Sequence, residues 1–252
     1  MNSRAPQYFG VAGTTTPDEV SQLVGFLDVL GMPDHVRFMN GPLVSFKTLN
    51  EKEPGNPRRY PPVSLLPSLL IDDPRVINIV HYNSRKPDLY SQLIKLIKIS
   101  PLIHGVQLNI ADPDLDDLIR FKREHPDVLV VLQLGLRVFS SCNNDVFELI
   151  RYVRHYEEVV DYALLDLSGG EGIPVDLSVA DTYVREMSWQ DTPVVTGVTG
   201  GLRSDTVLKL TGLLERDTSL CWDVESGVRT NDVLDMGKCF GFCAASAALL
   251  RQ

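Results

Sequence analysis

Three short glycine segments in the last third of the chain have the composition of phosphate-binding turns. They read DLSGGEG at 166–172, GGL at 200–202 and SGV at 226–228, and each follows an apolar, strand-like run. Glycine lets backbone amides approach an anion closely, and amides that precede a helix attract negative charge. We therefore predict that the last two segments share one phosphate group, although ordinary turns also collect glycine. The amides that would hold it are those of Gly200, Gly201, Ser226 and Gly227.

Two aspartates beside these segments could perform acid–base chemistry. Asp166 closes the apolar run at the first segment, and Asp223 closes the run before SGV. In a β/α barrel, residues at the carboxyl ends of the strands form the active site. Carboxyl groups that share a cleft raise each other's proton affinity, which suits acid catalysis but opposes the binding of an anion. We expect Arg229 and the backbone amides to offset this negative charge.

The size and charge of the chain narrow the class of protein. Its 252 residues fit one barrel or one large α/β sheet, so we expect a single domain over residues 1–252. The net charge of −9, with no basic stretch between aromatic residues, argues against nucleic acid as a partner. No apolar run approaches the roughly 20 residues that cross a bilayer, and the first ten residues lack the apolar core of a signal peptide. We expect a cytoplasmic protein that does not bind a membrane.

Short β-rich runs alternate with longer amphipathic runs along the whole chain, which is the pattern of repeated βα units. The predicted strands cover residues 8–12, 36–40, 76–82, 105–109, 128–134, 160–166, 193–197 and 220–224. The predicted helices cover residues 17–30, 88–99, 113–124, 145–155, 177–187, 204–214 and 231–250, with a shorter one near 63–70. Eight such units predict a (β/α)8 TIM barrel. A doubly wound open sheet is the alternative, but GVAGTTTP after the first strand is a poor dinucleotide-binding sequence.

Residues 41–62 interrupt this alternation. The segment is rich in proline and contains Arg58 and Arg59, so we predict a long loop after the second strand. Long loops in compact domains are usually functional or disordered, and this one would lie on the same face as the glycine turns.

Motifs along the whole chain resemble those of one enzyme family. They are VAGT at 11–14, NPRRYPP at 56–62, VQLN at 106–109, LLDLSGGEG at 164–172, GGLRSDTV at 200–207 and DVESGVR at 223–229. Their order and spacing resemble those of the phosphoribosylanthranilate isomerase family. These are cofactor-free (β/α)8 enzymes of tryptophan biosynthesis that perform an Amadori rearrangement of a phosphorylated aminosugar. The resemblance implies a small phosphorylated ligand, no cofactor, and a monomer or homodimer. The spacing of the four cysteines likewise predicts no metal site.

The resemblance also implies roles for individual residues. Asp166 matches the family's general acid, and Arg58 matches an arginine that holds the substrate carboxylate, although Arg59 beside it could take the same role. Ala12 stands where the family has a cysteine that acts as general base. Alanine cannot move a proton, and loss of a general base typically lowers the rate by about 10² to 10⁴.

Other residues could replace the missing base. They are His81, Cys142, Glu171 and Glu225. The catalytic residues we predict are thus Asp166, His81, Glu171 and Asp223. The family's residues are also replaced at Asn109, Glu171, Glu225 and Arg229. We expect a divergent barrel that keeps the phosphate end of its ligand and has changed the other end. It would act as an isomerase or related lyase, or as a non-catalytic barrel that binds a ligand or a partner.

Overall fold

The polypeptide folds into a closed barrel of eight parallel strands surrounded by helices, seen in a computed structural model that describes residues 5–168 and 176–251. The strands are β1 (Gln7–Ala12), β2 (Val36–Gly41), β3 (Val76–Asn83), β4 (Gly105–Leu108), β5 (Leu129–Gly135), β6 (Tyr162–Asp166), β7 (Val195–Thr199) and β8 (Cys221–Val224). Each strand pairs with the next, and the pairing of β8 with β1 closes the barrel. The predicted (β/α)8 TIM barrel is confirmed.

Helices follow most of the strands and cover the outside of the barrel. They are α1 (Pro17–Leu30), α2 (Phe46–Leu49), α3 (Leu89–Ile97), α4 (Leu115–Glu124), α5 (Leu136–Ser141), α6 (Val146–His155), α7 (Leu177–Ser188), α8 (Thr211–Leu214) and α9 (Met236–Leu249). The start of α1 shows why the sequence predicts it well. Thr16 accepts from the Glu19 backbone amide, and the Glu19 carboxylate accepts from the Thr16 amide, which is a capping box.

The structure corrects the prediction of one long loop over residues 41–62. A short strand, Leu43–Ser45, continues beside β3 after Pro42, and α2 follows it. Ser45 caps α2 by accepting from the Thr48 amide, which explains why a helix starts inside a proline-rich segment. A 3₁₀ helix, Val63–Leu69, then leads toward β3.

Two predicted helices in the last quarter are shorter in the structure. The segment predicted as a helix over 204–214 forms a 3₁₀ turn, Val207–Leu210, before α8. The helix predicted from residue 231 begins only at Met236, because Asn231 and Asp232 have φ angles of 53° and 65° and form the turn of a small hairpin. Asp235 then caps α9 by accepting from the Lys238 amide.

Apolar side chains fill the barrel below the carboxyl ends of its strands. Alternate residues point inward, and the buried inner cluster includes Tyr8, Met39, Ile79, Val131, Tyr162 and Leu164. A larger cluster fills the space between the sheet and the helices. Among the described residues, no helix has both the length and the apolar character that a membrane span requires.

Candidate active site

Polar side chains at the carboxyl ends of the strands line a cavity at one end of the barrel. They include His81, Asn83, Gln107, Gln133, Asp166 and Asp223. The cavity continues into a second space that is lined by Arg85, in the loop after β3, and by Arg137, near the start of α5. This end of the barrel is therefore the polar one, as the positions of the two aspartates in the sequence predict.

Asp166, the last residue of β6, accepts three hydrogen bonds at this cavity. Gln133 Nε2 donates to its Oδ2 at 2.6 Å, while Ser168 donates to Oδ1 from its backbone nitrogen (3.1 Å) and from its hydroxyl (2.6 Å). A Cβ on Gly200 would lie 2.9 Å from Asp166 Oδ1, so the backbone of the turn after β7 is packed directly beside the carboxylate.

Asp223, next to the end of β8, is buried and only half satisfied. The Thr199 hydroxyl donates to Oδ1 at 2.7 Å, whereas Oδ2 has no hydrogen-bond partner among residues 5–168 and 176–251. Burial raises the pKa of the Asp223 carboxyl to about 7, and the negative charges of Asp166 and Glu225 contribute to the increase. The bond from Thr199 opposes the shift. Asp223 therefore exchanges its proton near neutral pH.

Glu225 lies at the rim between two arginines. Its Oε1 is 3.5 Å from Arg59 Nη1 and 3.6 Å from Arg229 Nε. Burial raises the pKa of Glu225, and the two arginines oppose that shift. Arg229 is itself buried and donates to the backbone oxygens of Gly13 (3.0 Å) and Asp232 (2.7 Å). Arg229 thus ties two loops together, with its charge directed at Glu225.

Gly13 shows how closely Arg229 packs. A Cβ at this position would overlap the Arg229 guanidinium, and φ of Gly13 is 92°, a conformation that side chains disfavour. Glycine in the VAGT motif is therefore required by the arginine that lies against it.

His81 and Gln107 lie beside each other on adjacent strands, and both line the cavity. They are register partners in the pairing of β3 with β4. Both are buried, and neither His81 Nε2 nor Gln107 Oε1 has a hydrogen-bond partner among the described residues. Burial lowers the pKa of His81 to about 3, so its imidazole is neutral at ordinary pH. His81 is therefore poorly suited to accept a proton.

The two predicted phosphate turns lie against each other. Gly200 and Gly201 have φ angles of 95° and 61°, which favour glycine, and both line the cavity together with Ser226. A Cβ on Gly227 would overlap the Leu202 carbonyl oxygen, so the turns after β7 and β8 are in direct contact. The amides of Gly200, Gly201 and Leu202 donate to no acceptor within residues 5–168 and 176–251.

The remaining predicted residues lie in different environments. Arg58 is exposed and donates to the Asn231 carbonyl oxygen at 3.2 Å, while Arg59 beside it approaches Glu225. Cys142 is buried just after α5. Glu171 lies outside the described residues. The binding and catalytic roles of all these residues stay predictions.

Several polar residues of the cavity were missed by the sequence reasoning. Gln107, Gln133 and Thr199 each interrupt an apolar strand close to its carboxyl end. A polar side chain in a buried strand is unfavourable unless it faces a polar site. The polar residue near the end of each apolar strand is therefore the sequence signal that could have indicated these three residues. In the part of the chain that the structure describes, no three His, Cys, Asp or Glu side chains are grouped as a metal site.

Solved structures of phosphoribosylanthranilate isomerases share this fold. The Pyrococcus furiosus enzyme aligns with a TM-score of 0.65 and 16% identity over 96% of this chain and 99% of that chain. The Thermococcus kodakaraensis enzyme gives 0.65 and 17% over 95% and 98%. A third such isomerase, in complex with reduced 1-(o-carboxyphenylamino)-1-deoxyribulose 5-phosphate, gives 0.64 and 14% over 96% and 99%. No protein-family model and no curated protein sequence matches the chain. At these identities the likeness shows the fold alone.

Proposed function

We propose that this barrel binds a small phosphorylated sugar derivative and catalyses an acid–base isomerisation of the Amadori type, or a related lyase reaction, without a cofactor. One observation carries the proposal. The turn after β7, which the turn after β8 contacts, offers unused backbone amides, and its Gly200 lies directly beside the Asp166 carboxylate. A ligand that binds these turns through its anionic group would have the rest of its structure within reach of the carboxyl groups.

The phosphate would be bound mainly by the backbone. The amides of Gly200, Gly201 and Leu202 are the available donors, while Arg229 is engaged with two carbonyl oxygens and Glu225. Anion binding by backbone amides is well suited to a protein of net charge −9, because it adds no further ion pairs to the site.

Asp166 and Asp223 would supply the proton transfers. Asp223 is the better donor near neutral pH because burial raises its pKa to about 7. Asp166 would be the proton acceptor, since its carboxylate lies at the cavity beside the turn at Gly200. In this assignment Asp166 acts as the base and Asp223 as the acid, whereas the resemblance implies that Asp166 is the acid. The two carboxyl groups together take over the proton transfers that would otherwise need a cysteine at position 12. An isomerisation needs one group that gives a proton and one that takes it, so the pair suffices without a redox step.

The second candidate is a barrel that binds the same ligand without turnover. The observation in its favour is Ala12, which is fully buried at the end of β1 where the resembling family has its base. Binding and turnover are therefore tested separately.

Inorganic phosphate is the probe for binding. At a concentration ten times its dissociation constant, it should raise the melting temperature by about 3 °C, through linkage between binding and folding. Sodium chloride at equal ionic strength is the control. An unchanged melting temperature up to tens of millimolar phosphate would count against the anion site.

Turnover is measured with N-(5'-phosphoribosyl)anthranilate and other phosphoribosylated amines. Asp166→Asn and Asp223→Asn should each lower the rate by about 10² to 10⁴. Asp217→Asn, a buried aspartate in the segment before β8, is the matched control and should keep activity. Phosphate binding by the wild type with no turnover of any such amine would favour the second candidate.

A further inference from the structure

Residues 53–61 lie between α2 and the 3₁₀ helix that precedes β3. Within the described chain, the backbone hydrogen bonds of these residues stay inside the segment. The amides of Arg59 and Tyr60 both donate to the Asn56 carbonyl oxygen, at 3.2 and 3.0 Å, which closes a turn. At the start of the segment, a Cβ on Gly55 would meet no atom within 4 Å. Because the turn is held by its own bonds, it can move as a unit without losing backbone hydrogen bonds.

Three side chains of this segment bind one hairpin turn. Asn56 Nδ2 donates to Asp232 Oδ2 at 3.3 Å, and Arg59 Nε donates to Asp232 Oδ1 at 3.0 Å. Arg58 Nη1 donates to the Asn231 carbonyl oxygen at 3.2 Å. The left-handed backbone of Asn231 and Asp232 forms the turn that receives these bonds. Side-chain contacts with this turn therefore hold the segment against the barrel, and the ionic one involves Arg59.

Tyr60 places one end of the segment at the cavity of the glycine turns. It is part of the cavity wall, and its hydroxyl is hydrogen-bonded to the Asn83 side chain. The cavity has a volume of only about 50 Å³, whereas sites for small molecules usually have roughly 300–1,000 Å³. The adjoining space is larger, about 470 Å³, but in the described chain the residues of the glycine turns do not line it. A phosphorylated sugar therefore reaches the turns only after part of the wall has moved.

We propose that residues 56–60 form a lid that is latched to the hairpin turn at Asn231 and Asp232 and opens to give access to the glycine turns. This inference deepens the proposed function and rests on it, since the lid controls entry to the same site. It gives Arg58 and Arg59 the role of closing the lid, in place of the carboxylate-binding role that the resemblance implies. Opening breaks only the side-chain contacts of the segment, so it needs no unfolding of a helix or strand.

The first test places a thiol behind the lid. Ser226 lines the cavity from the turn after β8, and Ser226→Cys replaces one oxygen by sulfur. The four native cysteines are buried, so the wild type measures the background. N-phenylmaleimide is a neutral reagent that is larger than the cavity, and mass spectrometry follows its addition to the thiol. Labelling of Ser226→Cys should be much slower than labelling of the same protein after denaturation, because it waits for the lid to open.

Asp232→Asn, added to Ser226→Cys, weakens the latch. Asparagine adopts a left-handed conformation readily, so the substitution removes the charge and keeps the turn. Loss of this ion pair should raise the open fraction, and with it the labelling rate, about two- to fivefold. Sodium chloride at about 0.5 M should speed the labelling of the parent protein and have a smaller effect on the Asp232→Asn variant, because salt screens the ion pair. Asp181→Asn is the matched control, since its ion pair with Arg216 lies outside the cavity lining, and it should change neither rate.

A second measurement needs no added cysteine. Trypsin cleaves after arginine, and the side chains of Arg58 and Arg59 must leave the hairpin turn before the protease can bind them. Asp232→Asn alone should therefore raise the rate of cleavage after these two residues by the same two- to fivefold factor. Cleavage after Arg85, which is exposed in the loop after β3, is the internal control and should not change.

The outcomes separate this inference from the proposed function, because neither measurement uses phosphate. The lid requires that Asp232→Asn accelerate both the labelling and the cleavage, and an unchanged rate in either measurement overturns it. Labelling of Ser226→Cys at the rate of the denatured protein also overturns it, since the turns would then be open already. If both rates rise and inorganic phosphate does not bind, the proposed function fails and the lid stands.

Discussion

The raised pKa of Asp223 suits the proposed proton transfer, but it makes the folded protein less stable as the pH rises. The Asp223 carboxyl group is buried with one oxygen unsatisfied, and burial raises its pKa to about 7. An aspartate in an unfolded chain has a pKa of about 3.9. The folded protein therefore binds more protons than the unfolded chain between about pH 4 and pH 7, and its stability falls as the pH rises through that range.

Asp223→Asn should remove this dependence. The amide has nearly the same shape and never ionises, so the variant should exceed the wild type in free energy of unfolding by a few kcal/mol at pH 8. At pH 5 the difference should shrink to about 1–2 kcal/mol, because the folded carboxyl is protonated there while the carboxyl of the unfolded chain is already ionised. Urea denaturation at both pH values measures the difference.

Asp217→Asn is the control for this comparison, because Asp217 Oδ1 already accepts two bonds from Ser219. It should destabilise at both pH values. A difference between wild type and Asp223→Asn that is the same at pH 5 and pH 8 would contradict the assignment of a raised pKa to Asp223.

At the level of elements, the site depends on two turns that hold each other in place. Gly227 leaves room for the Leu202 carbonyl, so the turn after β8 supports the turn after β7. Gly227→Ala should separate the turns, weaken inorganic phosphate more than tenfold, and lower the free energy of unfolding by about 1–3 kcal/mol. Calorimetry and urea denaturation measure the two effects.

Gly25→Ala is the matched control. Gly25 lies within α1, and a Cβ there would meet no atom within 4 Å. Alanine favours a helix, so this variant should gain about 0.5–1 kcal/mol and keep its affinity for phosphate. Equal affinities of the two variants would show that the contact between the turns is not needed.

The sequence predicts the elements well where local and long-range signals agree. Thr16 and Glu19 cap α1 as the spacing indicates, and alternation of apolar runs locates all eight strands. Prediction fails where a short turn overrides periodicity. Asn231 and Asp232 adopt positive φ angles and form a hairpin inside a predicted helix, although such residues at a two-residue turn are a known hairpin signal.

The candidate site is less predictable than the fold. Asp166 and the glycine turns follow from their positions at the ends of strands, because every parallel strand of a barrel ends on the same face. The burial of His81 and its position beside Gln107 do not follow, since they depend on the register between β3 and β4. Arg59, and not Arg58, approaches Glu225. The path of the loop decides which of two adjacent arginines faces the cavity, and that path cannot be predicted from the sequence.

The whole molecule carries a net charge of −9, and three carboxyl groups line the cavity: Asp166, Asp223 and Glu225. Negative charge at both scales disfavours the binding of an anion. The nearby arginines, Arg59 and Arg229, are paired with Glu225. Binding of an anion must therefore depend on how many of the carboxyl groups are ionised. Protonation of Asp223 near pH 7 removes one of these negative charges within the physiological range.

Sulfate tests this dependence, because it keeps its double negative charge across the whole range while phosphate does not. Sulfate should bind about five- to tenfold more tightly at pH 6 than at pH 8, as expected for removing one negative charge several ångströms from the turns. Asp223→Asn should bind sulfate equally at both pH values, with the affinity that the wild type reaches only at pH 6. Calorimetry at constant ionic strength separates this effect from screening. A wild-type affinity that does not change with pH would mean that the anion lies too far from Asp223 for the two to share one site.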